Sequence, residues 1–108
     1  RIDVERGAKR GDCRQMYHRW GIAETIVEGE GFQVNRLTIH SGESLDIQND
    51  GPLPQFWVIV KGSAKVETKD ETFTLYENQS LDVPSQLSLN LQNPGASSLE
   101  IIVVLLKD

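Results

Sequence analysis

The chain has 108 residues, with eleven lysines and arginines against sixteen aspartates and glutamates, a net charge of -5. That length holds one small domain with a single core, and the acidic balance argues against nucleic acid, whose binding rests on Lys and Arg neutralising phosphates. No apolar run is long enough for a membrane span or follows a basic leader, and the single cysteine, Cys13, can form no internal disulfide. A membrane partner is therefore not expected, and the expected compartment is the cytoplasm.

Residues 1–16, RIDVERGAKRGDCRQM, are charged and show neither helical nor strand periodicity, which reads as a linker or arm. A start at Arg1 without methionine suggests an excised part of a longer protein. From 17 to 108 the chain is a succession of short β-rich runs: IAETIVE, FQVNRLTI, SLDIQ, FWVIVK, SAKVET, TFTLY, SLDVP, LSLNLQ and LEIIVVLL. Turn formers such as GEG, HSGE, NDGPLP, KDE and NPGASS separate them. Eight or nine strands with no amphipathic helix predict an all-β domain, as a sandwich, barrel or jelly roll.

Alternation adds detail. In SLDIQND the polar Asp46, Gln48 and Asp50 share one face and Leu45 and Ile47 the other. In LSLNLQ the leucines Leu87, Leu89 and Leu91 oppose Ser88, Asn90 and Gln92. LEIIVVLL is apolar on both faces, which predicts a strand covered on both sides, by a second sheet or a neighbouring subunit.

The run GESLDIQNDGPLPQFWVIVKG has a glycine, five residues, the polar Gln48 and Asp50, the further polar Gln55, then six residues to Gly62. This spacing resembles the first cupin motif. PSQLSLNLQN, from Pro84 to Asn93, is similar to the second, in which a proline, a spacer, a glycine, two residues, a histidine, three residues and an asparagine follow in order. YHRWG, GEGFQVNRLTIHSGESLDIQ, FWVIVKGSAKV, ENQS and LQNPG with SLEIIVV narrow the resemblance to the C-terminal domain of the type II phosphomannose isomerase / GDP-mannose pyrophosphorylase family, over about residues 17–104. The resemblance implies a cupin fold, a double-stranded β-helix jelly roll of two antiparallel sheets. It implies interconversion of mannose 6-phosphate and fructose 6-phosphate at a divalent metal. It also implies a separate nucleotidyltransferase (mannose-1-phosphate guanylyltransferase) domain that makes GDP-mannose, fused or associated, to which the arm would lead.

Transferred onto this sequence, the four ligand places hold Gln48, Asp50 in place of histidine, Gln55 in place of glutamate and Leu89 in place of histidine. Zinc takes imidazole, thiolate or carboxylate donors, usually three in a catalytic site. Only Asp50 is a strong donor, the two amides suit hard cations better, and Leu89 donates nothing. Without a metal, nothing stabilises the enediolate oxygens of an aldose–ketose isomerisation. No catalytic residue and no cofactor are therefore expected. His18, beside Arg19 and Trp20, and His40, in a turn before Gly42, have no convergent partners and read as surface residues.

Three further residues carry two readings each. Arg36 is either a phosphate-binding guanidinium in the barrel mouth or the partner of Glu43 or Asp46 at the sheet rim. Trp57 is core or pocket wall, or a sugar-stacking platform. Asp46, with Gln48, Asp50 and Gln55, forms either a polar sugar pocket or a water-filled vestige. The function expected is a degenerate cupin acting as an assembly or sugar-ligand-binding module in polysaccharide-precursor synthesis, as a homodimer. The alternatives are an active isomerase with an atypical metal site, and a stand-alone sugar sensor.

Overall fold

A computed structural model of the chain describes residues 15–107. Ten strands follow in order: β1 (Gln15–His18), β2 (Gly21–Gly29), β3 (Phe32–Ile39), β4 (Ser44–Gln48), β5 (Gln55–Lys61), β6 (Ala64–Glu67), β7 (Thr72–Leu75), β8 (Ser80–Val83), β9 (Ser88–Gln92) and β10 (Leu99–Leu106). They form a six-stranded sheet, β1-β2-β3-β10-β5-β8, and a four-stranded sheet, β4-β9-β6-β7. All pairings are antiparallel. The all-β class is the one expected from the strand runs, and the two antiparallel sheets are those the cupin resemblance implied. No helix among the described residues is long and apolar enough to cross a membrane.

β1 departs from the sequence reading. Gln15 and Met16, assigned to the arm by composition, pair with Glu24 and Ala23. All four β1 residues are exposed, so no burial imprints an alternation on them. The hairpin is instead fixed at its far end, where Gly21 lies so close to β3 that a Cβ would overlap the Thr38 carbonyl oxygen. The remainder of the arm, with Cys13, lies outside the described residues.

The core lies between the sheets and consists of inward residues of alternating strands: Leu37 and Ile39, Ile47, Trp57 and Ile59, Ala64 and Val66, Val83, Leu89 and Leu91, and Leu99, Ile101 and Val103. β10 runs between β3 and β5, which explains its apolar run. Its inward residues Leu99, Ile101 and Val103 are buried, while Ile102 and Val104 on the outer face are half-buried.

An internal repeat organises this fold. GESLDIQNDG at 42–51 and QLSLNLQNPG at 86–95, 44 residues apart, are identical at five of ten positions. The Asn49 side chain donates to the carbonyls of Leu53, Val83 and Pro84 at 3.0, 3.1 and 3.1 Å and accepts from Gly51 N at 3.2 Å. Its counterpart Asn93 donates to Ile39 and Ser97 carbonyls at 2.9 Å each and accepts from Gly95 N at 3.0 Å. Ser85 Oγ donates to Gly51 O, and Ser41 Oγ donates to Gly95 O. Gly42 and Gln86, again equivalent, have left-handed φ values of 79° and 70°. Each asparagine therefore closes the loop after its own strand and ties it to the strand that precedes the other repeat, so the halves lock reciprocally.

Candidate functional site

In antiparallel sheets, directly opposed residues share a face. Ile47 opposes Leu89, while Asp46 opposes Asn90 and Gln48 opposes Ser88. Ile47 and Leu89 are buried, and Asp46, Gln48 and Asp50 are exposed. The inward polar residue of this segment is Asn49, and its amide is fully engaged by backbone. The four transferred ligand positions are thus not brought together: Gln48 and Asp50 occupy one face of β4 and its extension, and Leu89 faces the core on the other side of the sheet.

Gln55 does face inward, and its Oε1 accepts a hydrogen bond from Trp57 Nε1 at 3.1 Å. Trp57 itself is 4% exposed, a core residue whose indole N–H is satisfied, which leaves no open ring face for a sugar. Leu89 is 5% exposed and fills the interior where the resemblance places a histidine. The donor set does not fit a divalent metal: one neutral amide already in use, a leucine, and two side chains directed elsewhere. Among the described residues, no group of three or more His, Cys, Asp and Glu is arranged to hold a metal ion.

The polar residues instead form the outer face of the four-stranded sheet. Asn90 Nδ2 donates to Asp46 Oδ1 at 2.8 Å, and Gln92 Nε2 donates to Asn90 Oδ1 at 2.8 Å. Lys65 and Glu67 continue the same rows on β6, opposite Gln92 and Asn90. Asp46 is therefore part of a solvated ladder, and it is not a wall of an enclosed pocket with Gln55.

Arg36 is also placed differently from both of its readings. It lies on the outer face of the six-stranded sheet with Phe32 and Val34, outside the barrel interior, and pairs with Glu24, at 2.9 Å through Nε and 2.8 Å through Nη2. Gln15 Nε2 also donates to Glu24, at 2.9 Å. The Gln15 hydrogen bond, followed by that from Arg36, holds the Glu24 carboxyl below its ordinary value against the opposing effect of burial. Glu43 and Asp46 are not its partners because the register sets Arg36 beside Glu24 on β2 and Ile102 on β10. His18 stacks on Trp20, ring centroids 4.7 Å apart and planes 7° apart, and His40 is exposed. Among the described residues, neither histidine belongs to a group that could hold a metal ion.

A pocket of about 350 Å³ opens at the opposite end of the sandwich, between the Asn93–Ser97 loop, Gly62, Ser63, Tyr76 and Glu77. Among the described residues, its lining contains an acid and no lysine or arginine. Sequence reasoning missed this pocket and the buried Asn49, and it named Asn93 only as the last residue of the second motif. The signal that would have found the asparagines is the 44-residue repeat.

The fold is that of the cupins. An RmlC-like cupin from Shewanella frigidimarina matches with a TM-score of 0.71 at 13% identity, covering 87% of this chain and 83% of that one. A cupin domain from Bordetella pertussis matches with a TM-score of 0.69 at 18% identity, covering 86% and 99%. Sequence relatives are closer. The alginate biosynthesis protein AlgA of Pseudomonas aeruginosa is 38% identical over 103 residues, 95% of this chain and 21% of that protein. The xanthan biosynthesis protein XanB of Xanthomonas campestris is 38% identical over 91 residues, 84% of this chain and 20% of that protein. A mannose-1-phosphate guanylyltransferase of Escherichia coli is 36% identical over 91 residues, 84% of this chain and 19% of that protein. The chain spans about a fifth of the length of these relatives. The family model for the mannose-6-phosphate isomerase C-terminal domain matches residues 6–107, and the chain belongs to that family.

Proposed function

We propose that this chain is a metal-free, non-catalytic member of its family that serves as an assembly module in GDP-mannose and polysaccharide-precursor synthesis. The observation that carries this reading is the filled interior. Leu89 is buried against Ile47, the Gln55 amide oxygen is engaged by Trp57, and Gln48 and Asp50 lie on the outer face. An isomerase needs a cation or equivalent dipoles at the enediolate oxygens, and these residues offer neither. The proposal includes a cytoplasmic location and a nucleotidyltransferase, fused or associated, as the catalytic partner. The kinship with proteins of alginate and xanthan biosynthesis supports that setting.

The sugar-binding reading has weaker support. Among the described residues, the pocket near Tyr76 and Glu77 has no cation to pair with a sugar phosphate, and Glu77 would repel one. The test of the main proposal is metal content and turnover. Purified protein dialysed against zinc, cobalt or manganese should retain no stoichiometric metal and should not convert fructose 6-phosphate. Stoichiometric metal with turnover would overturn the proposal in favour of an atypical isomerase.

A further inference from the structure

The pocket beside Tyr76 and Glu77 has two walls that the fold holds in place. One is the turn between β7 and β8. Tyr76 N donates to Gln79 Oε1 at 2.8 Å, and Gln79 N donates to Tyr76 O at 3.0 Å. Asn78 N donates to Ile59 O at 2.8 Å, and Ile59 N donates to Gln79 O at 2.9 Å, which ties the turn to β5. Asn78 is held in the left-handed region at φ 73°. The other wall is the 93–97 loop, closed by the Asn93 amide and by Ser41 Oγ on Gly95 O. The pocket is open because this loop is small: Gly95, Ala96, Ser97 and Ser98 stand at the repeat positions of Gly51, Pro52, Leu53 and Pro54.

The fixed donors around this opening are already engaged. Gly62 N donates to Glu77 Oε2 at 3.1 Å, Gly95 N donates to Asn93 Oδ1, and Asn93 N donates to Glu43 O. Both donors of the Asn93 amide go to carbonyls. What is left is Glu77 Oε1, the tyrosine ring, and the hydroxyls of Ser63 and Ser97, which can turn to either role. Among the described residues, Glu77 forms no ion pair and Tyr76, 60% exposed, stacks on no other ring.

We propose that this pocket binds a protonated amine of metabolite size. An ammonium group has three donors and no acceptor, which matches a site whose own donors are taken. Its charge is attracted by the Glu77 carboxylate and by the negative face of the Tyr76 ring. A volume of about 350 Å³ is at the lower end for small-molecule sites and suits a single metabolite, not a polymer. The pocket lies away from the transferred ligand positions, so its occupancy is independent of the metal content of the chain.

Amide chemical shifts of the 108-residue chain, followed by NMR at constant ionic strength, test this with glucosamine and glucose as probes. The two probes differ in one group, an ammonium against a hydroxyl. Glucosamine should shift the Gly62, Tyr76, Glu77 and Gly95 amides saturably, with a Kd of about 1–10 mM, as one charge-assisted hydrogen bond and one exposed cation–π contact allow. Glucose should bind at least about 10-fold more weakly. Glu77→Gln keeps an acceptor for Gly62 N and removes the charge, so it should weaken glucosamine binding about 10-fold or more. Should that variant unfold, Tyr76→Leu decides, with an expected loss of about 3-fold. Glu67→Gln removes an exposed acid from the outer face of the four-stranded sheet and should change nothing. Four results overturn the proposal: no saturable shift, glucose binding as tightly as glucosamine, full affinity in the folded pocket variant, or an equal loss in Glu67→Gln, which would mark a general attraction of cations to an acidic chain.

Discussion

Asn49 and Asn93, 44 residues apart, are each 2% exposed and hold equivalent places at opposite ends of the sandwich, where each ties down the loop that follows it. Asn49 reaches the Val83 carbonyl, and Asn93 reaches the Ile39 carbonyl, the repeat equivalent of Val83. An amide suits the site because it supplies donors to the carbonyls and an acceptor to the glycine N–H at once.

Asn49→Ala should lower the free energy of unfolding by about 2–4 kcal/mol, because it strands buried carbonyls and the Gly51 N–H. Asn49→Asp should cost at least as much near neutral pH, since a carboxylate would face three carbonyl oxygens. Its buried acid would have a pKa raised above the ordinary carboxylate value, so part of the loss should return as pH falls from that raised value toward the ordinary one, where the protonated form can donate. Urea unfolding at pH 7 and pH 4 checks both statements. Equal losses for Asn49→Asp at the two pH values would contradict this account.

Gly21→Ala should destabilise by more than about 2 kcal/mol, because the added methyl overlaps backbone and not a movable side chain. Gly31, at φ 87° with open space around its Cβ, provides the comparison. Gly31→Ala meets only backbone strain and should cost less, about 1 kcal/mol. Thermal melts of the two variants rank them, and a reversed order would show that the β2–β3 approach is not tight.

The Glu24 carboxyl, held below its ordinary value by Gln15 and Arg36, makes a pH-dependent contribution to stability. A folded-state pKa below the unfolded one stabilises above the unfolded pKa, and the gain is lost as pH falls through the folded value. Glu24→Gln should therefore be less stable than wild type at pH 7, and the gap should close in acid. Because the Arg36 side chain is 44% exposed, the gap should stay within about 1 kcal/mol. Urea midpoints measured from pH 7 to pH 3 give this difference directly.

Leu89→His should cost about 2–4 kcal/mol, since it removes buried apolar contact and places an imidazole against Ile47. Zinc should not restore the melting temperature, because the remaining donors do not converge there. A zinc-dependent rise would indicate that a site can still assemble around position 89.

Much of the fold is legible in the sequence. Short β-branched runs between turn formers specify an all-β domain, and the apolar halves of SLDIQ and LSLNLQ mark the residues that enter the core. The site was legible only in part. The ligand spacing assigned Gln48 and Asp50 to the interior, but Leu45 and Ile47 lie on the opposite face of the same strand, and burial follows the apolar pair. A strand's period of two defines its faces, and a shift of one residue exchanges them.

By itself, the sequence determined the strand inventory, the family, and that Asp50 alone is a strong metal donor among the transferred positions, because these depend on residue type and local pattern. Tertiary structure decided which face of β4 meets water, that Arg36 takes Glu24 as its partner, and that Asn49 and Asn93 lock the two repeats. Each of these depends on register between strands distant in sequence. Val58 and Ile102 meet because two strands lie side by side, so the apolar face they share takes shape only when the sheet does.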